Sequence, residues 1–141
     1  MNAKLVLVKG CPPIDQDNLK LIAKYVQYCV NQLGLNDQLI KIRLLGANPN
    51  EAITTGCYNP ADKTISSIVG GRHMIDYCRT IAHELAHMKQ DVDGRITGKQ
   101  EEIGGEIEDE ANVLSGRYTK HFIKNILTND EKKKLGLGSY K

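Results

Sequence analysis

The sequence predicts an α+β fold in which a mixed or antiparallel sheet of three to four strands packs on helices. Three observations carry that prediction. Short apolar or alternating segments bounded by turn residues recur in the first half of the chain. Longer stretches read as helices, with apolar residues at i, i+3, i+4, i+7 spacing over Asp15–Leu33 and at i, i+4, i+7, i+11, i+15 from Ile107 to Phe122. The order is strand, helix, three strands, helix, loop, helix, with no internal repeat and no linker, so residues 1–141 read as one domain. At 141 residues, 40% hydrophobic and 26% charged, the chain is long enough for a core without disulfide or metal staples.

Each element has its own signal. Lys4–Lys9 is an apolar run stopped by Gly10 and the Pro12-Pro13 pair, which reads as a strand. From Asp15 to Leu33, Leu19, Ile22, Val26, Cys29/Val30 and Leu33 line one helical face. Asp15 or Asp17 is placed to cap this helix, and Gly34 to end it. Leu39–Leu45 alternates Ile40, Ile42 and Leu44 with Lys41 and Arg43, the period of a half-buried strand. Ala52–Tyr58 and Thr64–Val69 read as two further strands, and the Asn59–Lys63 turn residues between them suggest a hairpin. A helix is expected from about His73 to Gln90, led in by the Gly70-Gly71 turn. A loop follows over Asp91–Lys99, and a second long helix from about Glu106 to Leu127, entered at Gly104-Gly105. The lysine-rich tail is expected to fray from about residue 130.

Composition removes several functional classes. No apolar run approaches the roughly 20 residues of a membrane span, and the N-terminus lacks the apolar core of a signal peptide, so a cytoplasmic protein is expected. No basic face with interleaved aromatics supports nucleic-acid binding. Cys11, Cys29, Cys57 and Cys78 lack the CxxC spacing of a structural zinc site and read as reduced, mostly buried thiols. The formal charge of +2 conceals a local excess: residues 101–110 carry six acids and no base. Such a block is either a solvated face or part of a cation site.

Residues 83–87 decide between those alternatives. They spell His-Glu-x-x-His within a segment already assigned as helix. At about 100° per residue, His83 and His87 lie about 40° apart, one turn from each other, so both imidazoles reach one Zn²⁺. Glu84 falls on the same side, placed to act as general base on an activated water rather than as a ligand. Ile81, Ala82, Leu85, Ala86 and Met88 around them indicate a packed helix, not a solvated one.

A catalytic zinc site needs a third protein ligand and one open position. The metzincin continuation would need Gly at position 90 and His at 93, whereas the chain has Gln90 and Asp93. The gluzincin continuation takes a Glu from a second helix, followed four residues later by Asp or Asn. Glu108, 21 residues after His87, with Asn112, fits it. Helix phase favours Glu108, because it borders the Ile107, Ala111, Leu114, Tyr118, Phe122 stripe. Glu106 and Glu110 on the other flank remain the alternatives. Asn112 is then placed to orient Glu108 or a ligand histidine through a hydrogen bond.

The pair His83-Glu-Leu-Ala-His87 and Glu108-Asp-Glu-Ala-Asn112 resembles the small gluzincin-type metallopeptidases called minigluzincins. These include the ImmA/IrrE-like proteins of bacteria and their phages, whose second motif is ExxA(N/D). The resemblance covers about residues 52–123. It implies a zincin-like domain, one Zn²⁺ per chain, and a peptide or protein as substrate; composition has already argued against a nucleic-acid or membrane partner. It also implies that an edge strand preceding the zinc helix pairs with an extended peptide, and Thr64–Val69 occupies that place in the chain. If the gene is a phage's, a virion location is a further expectation. The N-terminal strand and helix lie outside the resemblance.

Other residues carry weaker signals. Tyr118, Arg117 and His121 are positioned to stabilise a transition-state oxyanion, although Tyr118 also falls on the apolar stripe as a core residue would. His121 and His73 read as surface residues, and Asp76 as a first-turn acid. The expected activity is zinc-dependent peptide hydrolysis. Its rivals are a catalytically silent zinc-binding structural or interaction protein and a regulatory protease specific for one protein.

Overall fold

A computed structural model describes residues 3–8, 11–46, 55–96 and 105–137. Strand β1 (Ala3–Leu7) leads to helix α1 (Gln16–Leu33) and strand β2 (Ile40–Leu45). Strands β3 (Gly56–Asn59) and β4 (Thr64–Ile68) follow, then helix α2 (Met74–Val92) and helix α3 (Glu106–His121). Helix α3 continues as a π-helical turn over Phe122–Ile126, and a short helix α4 (Asn129–Lys134) ends the described chain. The fold is α+β with a four-stranded mixed sheet. Part of the segment expected as strand Ala52–Tyr58, positions 52–54, and the expected Gly104 turn lie outside the described residues.

The sheet order is β1-β2-β4-β3. β1 pairs with β2 and β2 with β4 in parallel, while β3 pairs with β4 antiparallel through the Asn59–Lys63 turn. One sequence expectation is corrected by this order. Thr64–Ile68 is an interior strand with partners on both sides, so the edge of the sheet next to α2 is β3. Sequence separation does not reveal the order: the chain returns from the β3–β4 hairpin between its own first strand and β2, and pairing on β2 fills both sides of β4.

The alternation along β2 survives intact. Ile40, Ile42 and Leu44 are fully buried while Lys41 and Arg43 face solvent, so helices cover one face of the sheet at that strand. α1 begins where expected: the Asp15 carboxylate accepts the Asn18 amide at 2.8 Å, satisfying one of the unpaired first-turn donors. Tyr25, Val26, Cys29 and Val30 on its inner face pack with Ile81, Leu85 and Met88 of α2 and Phe122 in one core. Tyr25 meets Phe122 edge to face, with centroids 4.9 Å apart, and its hydroxyl hydrogen-bonds Thr119 Oγ1 at 2.7 Å. Burial pushes the Cys29 thiol up to about 12 and the Cys78 thiol higher still, as structural thiols in a core should be.

The frayed tail is a second correction. Thr128 and Glu131 form a reciprocal capping box at the start of α4. Lys24 of α1 reaches Glu131 at 3.2 Å, Lys134 pairs with Asp17, and Leu135 enters the core. The His73 ring links this segment to the start of α2. Its Nδ1 accepts the Ile75 amide at 3.0 Å, so Nε2–H donates to the Leu135 carbonyl at 2.8 Å. His73 is therefore the N-cap of α2 rather than a bare loop residue.

Candidate metal centre

The centre is built where α2 and α3 pack against each other. His83 and His87 project from one side of α2, one turn apart, with ring centroids 4.7 Å apart at 83°. Glu108 comes from the first turn of α3. His83 Nε2 and His87 Nε2 stand 3.1 Å apart, and Glu108 Oε1 lies 3.3 Å from the first and 2.5 Å from the second. Metal–ligand bonds of 2.0–2.1 Å in a tetrahedron put ligand atoms about 3.3 Å apart. Two of the three separations already match within a few tenths of an ångström, and the third needs only a small outward movement of Glu108. This group is close enough to hold a metal ion. Two imidazoles and one carboxylate are a donor set for a divalent transition metal.

The carboxylates sort themselves as helix phase suggested. Glu110 turns away from the donors: Arg95 donates to it at 2.6 Å and the Gln90 amide at 3.0 Å, and these contacts hold its carboxyl below the usual range. Glu106 is exposed and does not join the donor group. Of the three candidates, the structure brings only Glu108 to the histidines.

The protonation states suit metal binding. Burial lowers the His83 pKa and outweighs the Glu108 carboxylate and the Asn112 side chain, which both raise it, so the ring is neutral at pH 7. Asn112 lines the same cleft as His83 and Glu108. His87 is oriented from behind by a residue the sequence reading passed over. Gln90 Oε1 sits 2.8 Å from His87 Nδ1, which donates to it, so Nε2, the nitrogen that faces His83 and Glu108, is the one placed to ligate a metal ion. The Gln90 amide then donates to the Ile107 carbonyl and Glu110, tying α2 to the first turn of α3. The available signal was its i+3 spacing from His87, whereas the position had served only to exclude one ligand pattern. Gln90→Leu should keep the volume but remove the acceptor, weakening metal affinity by about 10- to 100-fold in a chelator competition titration.

Glu84 lies beside the donors with 8% of its surface exposed. Burial pushes its carboxyl up to about 7; His87 opposes that shift and the Glu108 carboxylate adds to it. An open cleft of about 610 Å³ is bounded by Glu84, His83, Glu108 and Asn112 on one side and by Thr55 and Gly56 at the sheet edge on the other. Gly56 permits that proximity. A Cβ there would stand 2.5 Å from the Thr80 methyl and 2.9 Å from the Ser66 carbonyl, so any side chain would force β3 off α2. A smaller depression of about 230 Å³ continues on the far side, between Cys57 and Tyr58 of β3 and His87.

The structure does not bring the proposed oxyanion residues to this cleft. Tyr118 is buried in the core with its ring edge to face against Tyr28 at 6.1 Å. His121 stacks on the same Tyr28 at 5.6 Å and hydrogen-bonds its hydroxyl at 2.8 Å. Arg117 is exposed on α3 and does not line the cleft.

The fold and the site thus define an α+β protein carrying a His-His-Glu group able to hold a metal ion. No family model, curated protein or solved structure matches the chain.

Proposed function

We propose that this protein is a zinc-dependent metallopeptidase of gluzincin type, with a zincin-like arrangement of sheet edge, HExxH helix and ligand helix. The observation that carries the reading is the position of Glu84. A carboxylate that makes no hydrogen bond or ion pair among the described residues borders an open cleft next to three converging donors. A structural zinc site would ordinarily close its fourth position with a protein ligand. Openness at this point favours turnover over the silent binding protein.

In this reading His83, His87 and Glu108 hold the zinc. Bound zinc would polarise the scissile carbonyl and make water acidic enough to deprotonate near neutral pH. Glu84 takes the proton from the attacking water and passes it to the departing amine. Gln90 keeps His87 in the ligating tautomer, and Asn112 steadies His83. The outer edge of β3, which pairs with no strand among the described residues, supports the peptide rather than β4: an extended chain laid along Gly56–Asn59 would run past Glu84 from the larger cleft to the smaller depression. Main-chain hydrogen bonds at a strand edge hold a peptide with little demand on its sequence. Glu84→Gln, assayed for peptide hydrolysis and zinc content together, tests this assignment. Loss of hydrolysis with zinc retained supports it, and retained hydrolysis removes Glu84 from the mechanism.

A further inference from the structure

The larger cleft continues up α2, away from the donors, to an end lined by Arg72 and Arg79. The two arginines are not equivalent. Arg72 is committed to the fold: it donates to the Ile68 carbonyl at 2.8 Å, to Thr80 Oγ1 at 2.8 Å and to the Asp76 carbonyl at 3.2 Å. Arg79 is exposed and makes no hydrogen bond or ion pair among the described residues. Asp76 is the carboxylate at this end of the cleft, and among the described residues it pairs with neither arginine.

The guanidinium of Arg79 does have a neighbour. It reaches across to Gly116 of α3, where an added Cβ would stand 3.1 Å from Nη2. Glycine is the poorest helix former after proline, so its presence within α3 disfavours the helix locally. The bare backbone leaves room for the guanidinium to lie across the end of the cleft. Its distance from the donors follows from helix geometry. Arg79 is one turn before His83, about 6 Å along α2, and Gly116 is two turns after Glu108, about 12 Å along α3. An extended peptide advances about 3.3 Å per residue, so the guanidinium faces a position two to four residues from the scissile bond.

We propose that Arg79 is a specificity-determining residue that receives a carboxylate of the substrate two to four residues from the cleaved bond. The proposal rests on the metallopeptidase reading and names the substrate class within it. The guanidinium fork matches a carboxylate in two parallel hydrogen bonds, whether it belongs to an Asp or Glu side chain or to a free C-terminus.

The test uses a library of decapeptides randomised at every position, in free-acid and C-terminally amidated forms. It is read by mass spectrometry after digestion with zinc-loaded protein and after retention on immobilised zinc-loaded Glu84→Gln protein. Wild type should favour Asp and Glu over Asn and Gln by about fivefold at one position two to four residues from the cut, as a partly exposed ion pair allows. Arg79→Glu should abolish or reverse that preference, and Arg79→Lys should keep part of it. A preference that survives amidation assigns the carboxylate to a side chain, and one lost on amidation assigns it to the C-terminus. If no peptide is cut, the metallopeptidase reading fails. Retention still reads Arg79 in that event: acidic peptides enriched on the Glu84→Gln protein but not on Glu84→Gln/Arg79→Glu support the site. Absence of acidic enrichment, or enrichment unchanged by Arg79→Glu, overturns it.

Discussion

Glu84→Gln is expected to lower kcat for peptide hydrolysis by about 10²- to 10⁴-fold, the usual contribution of a positioned general base, while one zinc stays bound per chain. The substitution keeps shape and volume at a position with 8% exposure, so the surrounding packing of α2 against β3 should be preserved. It removes only the ability to accept and release a proton. The carboxyl is suited to that task by its surroundings. Burial pushes it up to about 7. A dication held by His83, His87 and Glu108 acts in the opposite direction, favouring the ionised form that accepts a proton. Zinc content and circular dichroism measured beside the rate separate loss of the base from loss of the site. A variant that keeps both zinc and full activity would show that the base lies elsewhere.

Metal removal should cost stability as well as activity. The three donors join α2 to the first turn of α3, and no disulfide among the four cysteines supports that junction. A ligand that binds only the folded state stabilises it by about 4 kcal/mol at a free concentration 1,000 times its dissociation constant. For a chain of this size that corresponds to about 10 °C in Tm. The Glu108 carboxylate raises the Glu84 pKa by like-charge repulsion, a cost that a bound dication would offset. EDTA followed by buffer exchange should therefore lower Tm by about 10 °C, and stoichiometric zinc should restore it. A melting temperature indifferent to both treatments would show that these side chains do not hold a metal in the folded protein.

Much of the site was legible because it depends on helical repeat alone. His83, Glu84 and His87 are near neighbours on any α-helix, and Glu108 differs from Glu106 and Glu110 in its angle to the apolar stripe of α3. The structure brings that residue to the histidines and gives Glu110 to Arg95 and Gln90. β2 was equally plain, since Ile40, Ile42 and Leu44 alternate with charges.

What escaped depends on contacts between distant segments. No local pattern in Thr64–Ile68 shows that β2 and β3 flank it, so the open edge was assigned to the wrong strand of the hairpin. Gln90 is polar, and its burial follows only from the approach of Ile107 and Glu110. α4 is six residues rich in charge, too short to be stable from its own propensity. It stands because Asp17 and Lys24 of α1 hold it and Leu135 is buried. The Thr128-x-x-Glu131 capping box was the one local sign of it. Tyr118 had two readings along the sequence, and packing against Tyr28 favours the core.

The claim on which all of this depends is that His83, His87 and Glu108 together bind one zinc. Elemental analysis of purified, buffer-exchanged wild type and Glu108→Ala tests it most directly. The expected result is one zinc per chain in the wild type and a small fraction of that in the variant. A wild type that carries no tightly held metal, or a Glu108→Ala protein that still holds one zinc per chain, would contradict it.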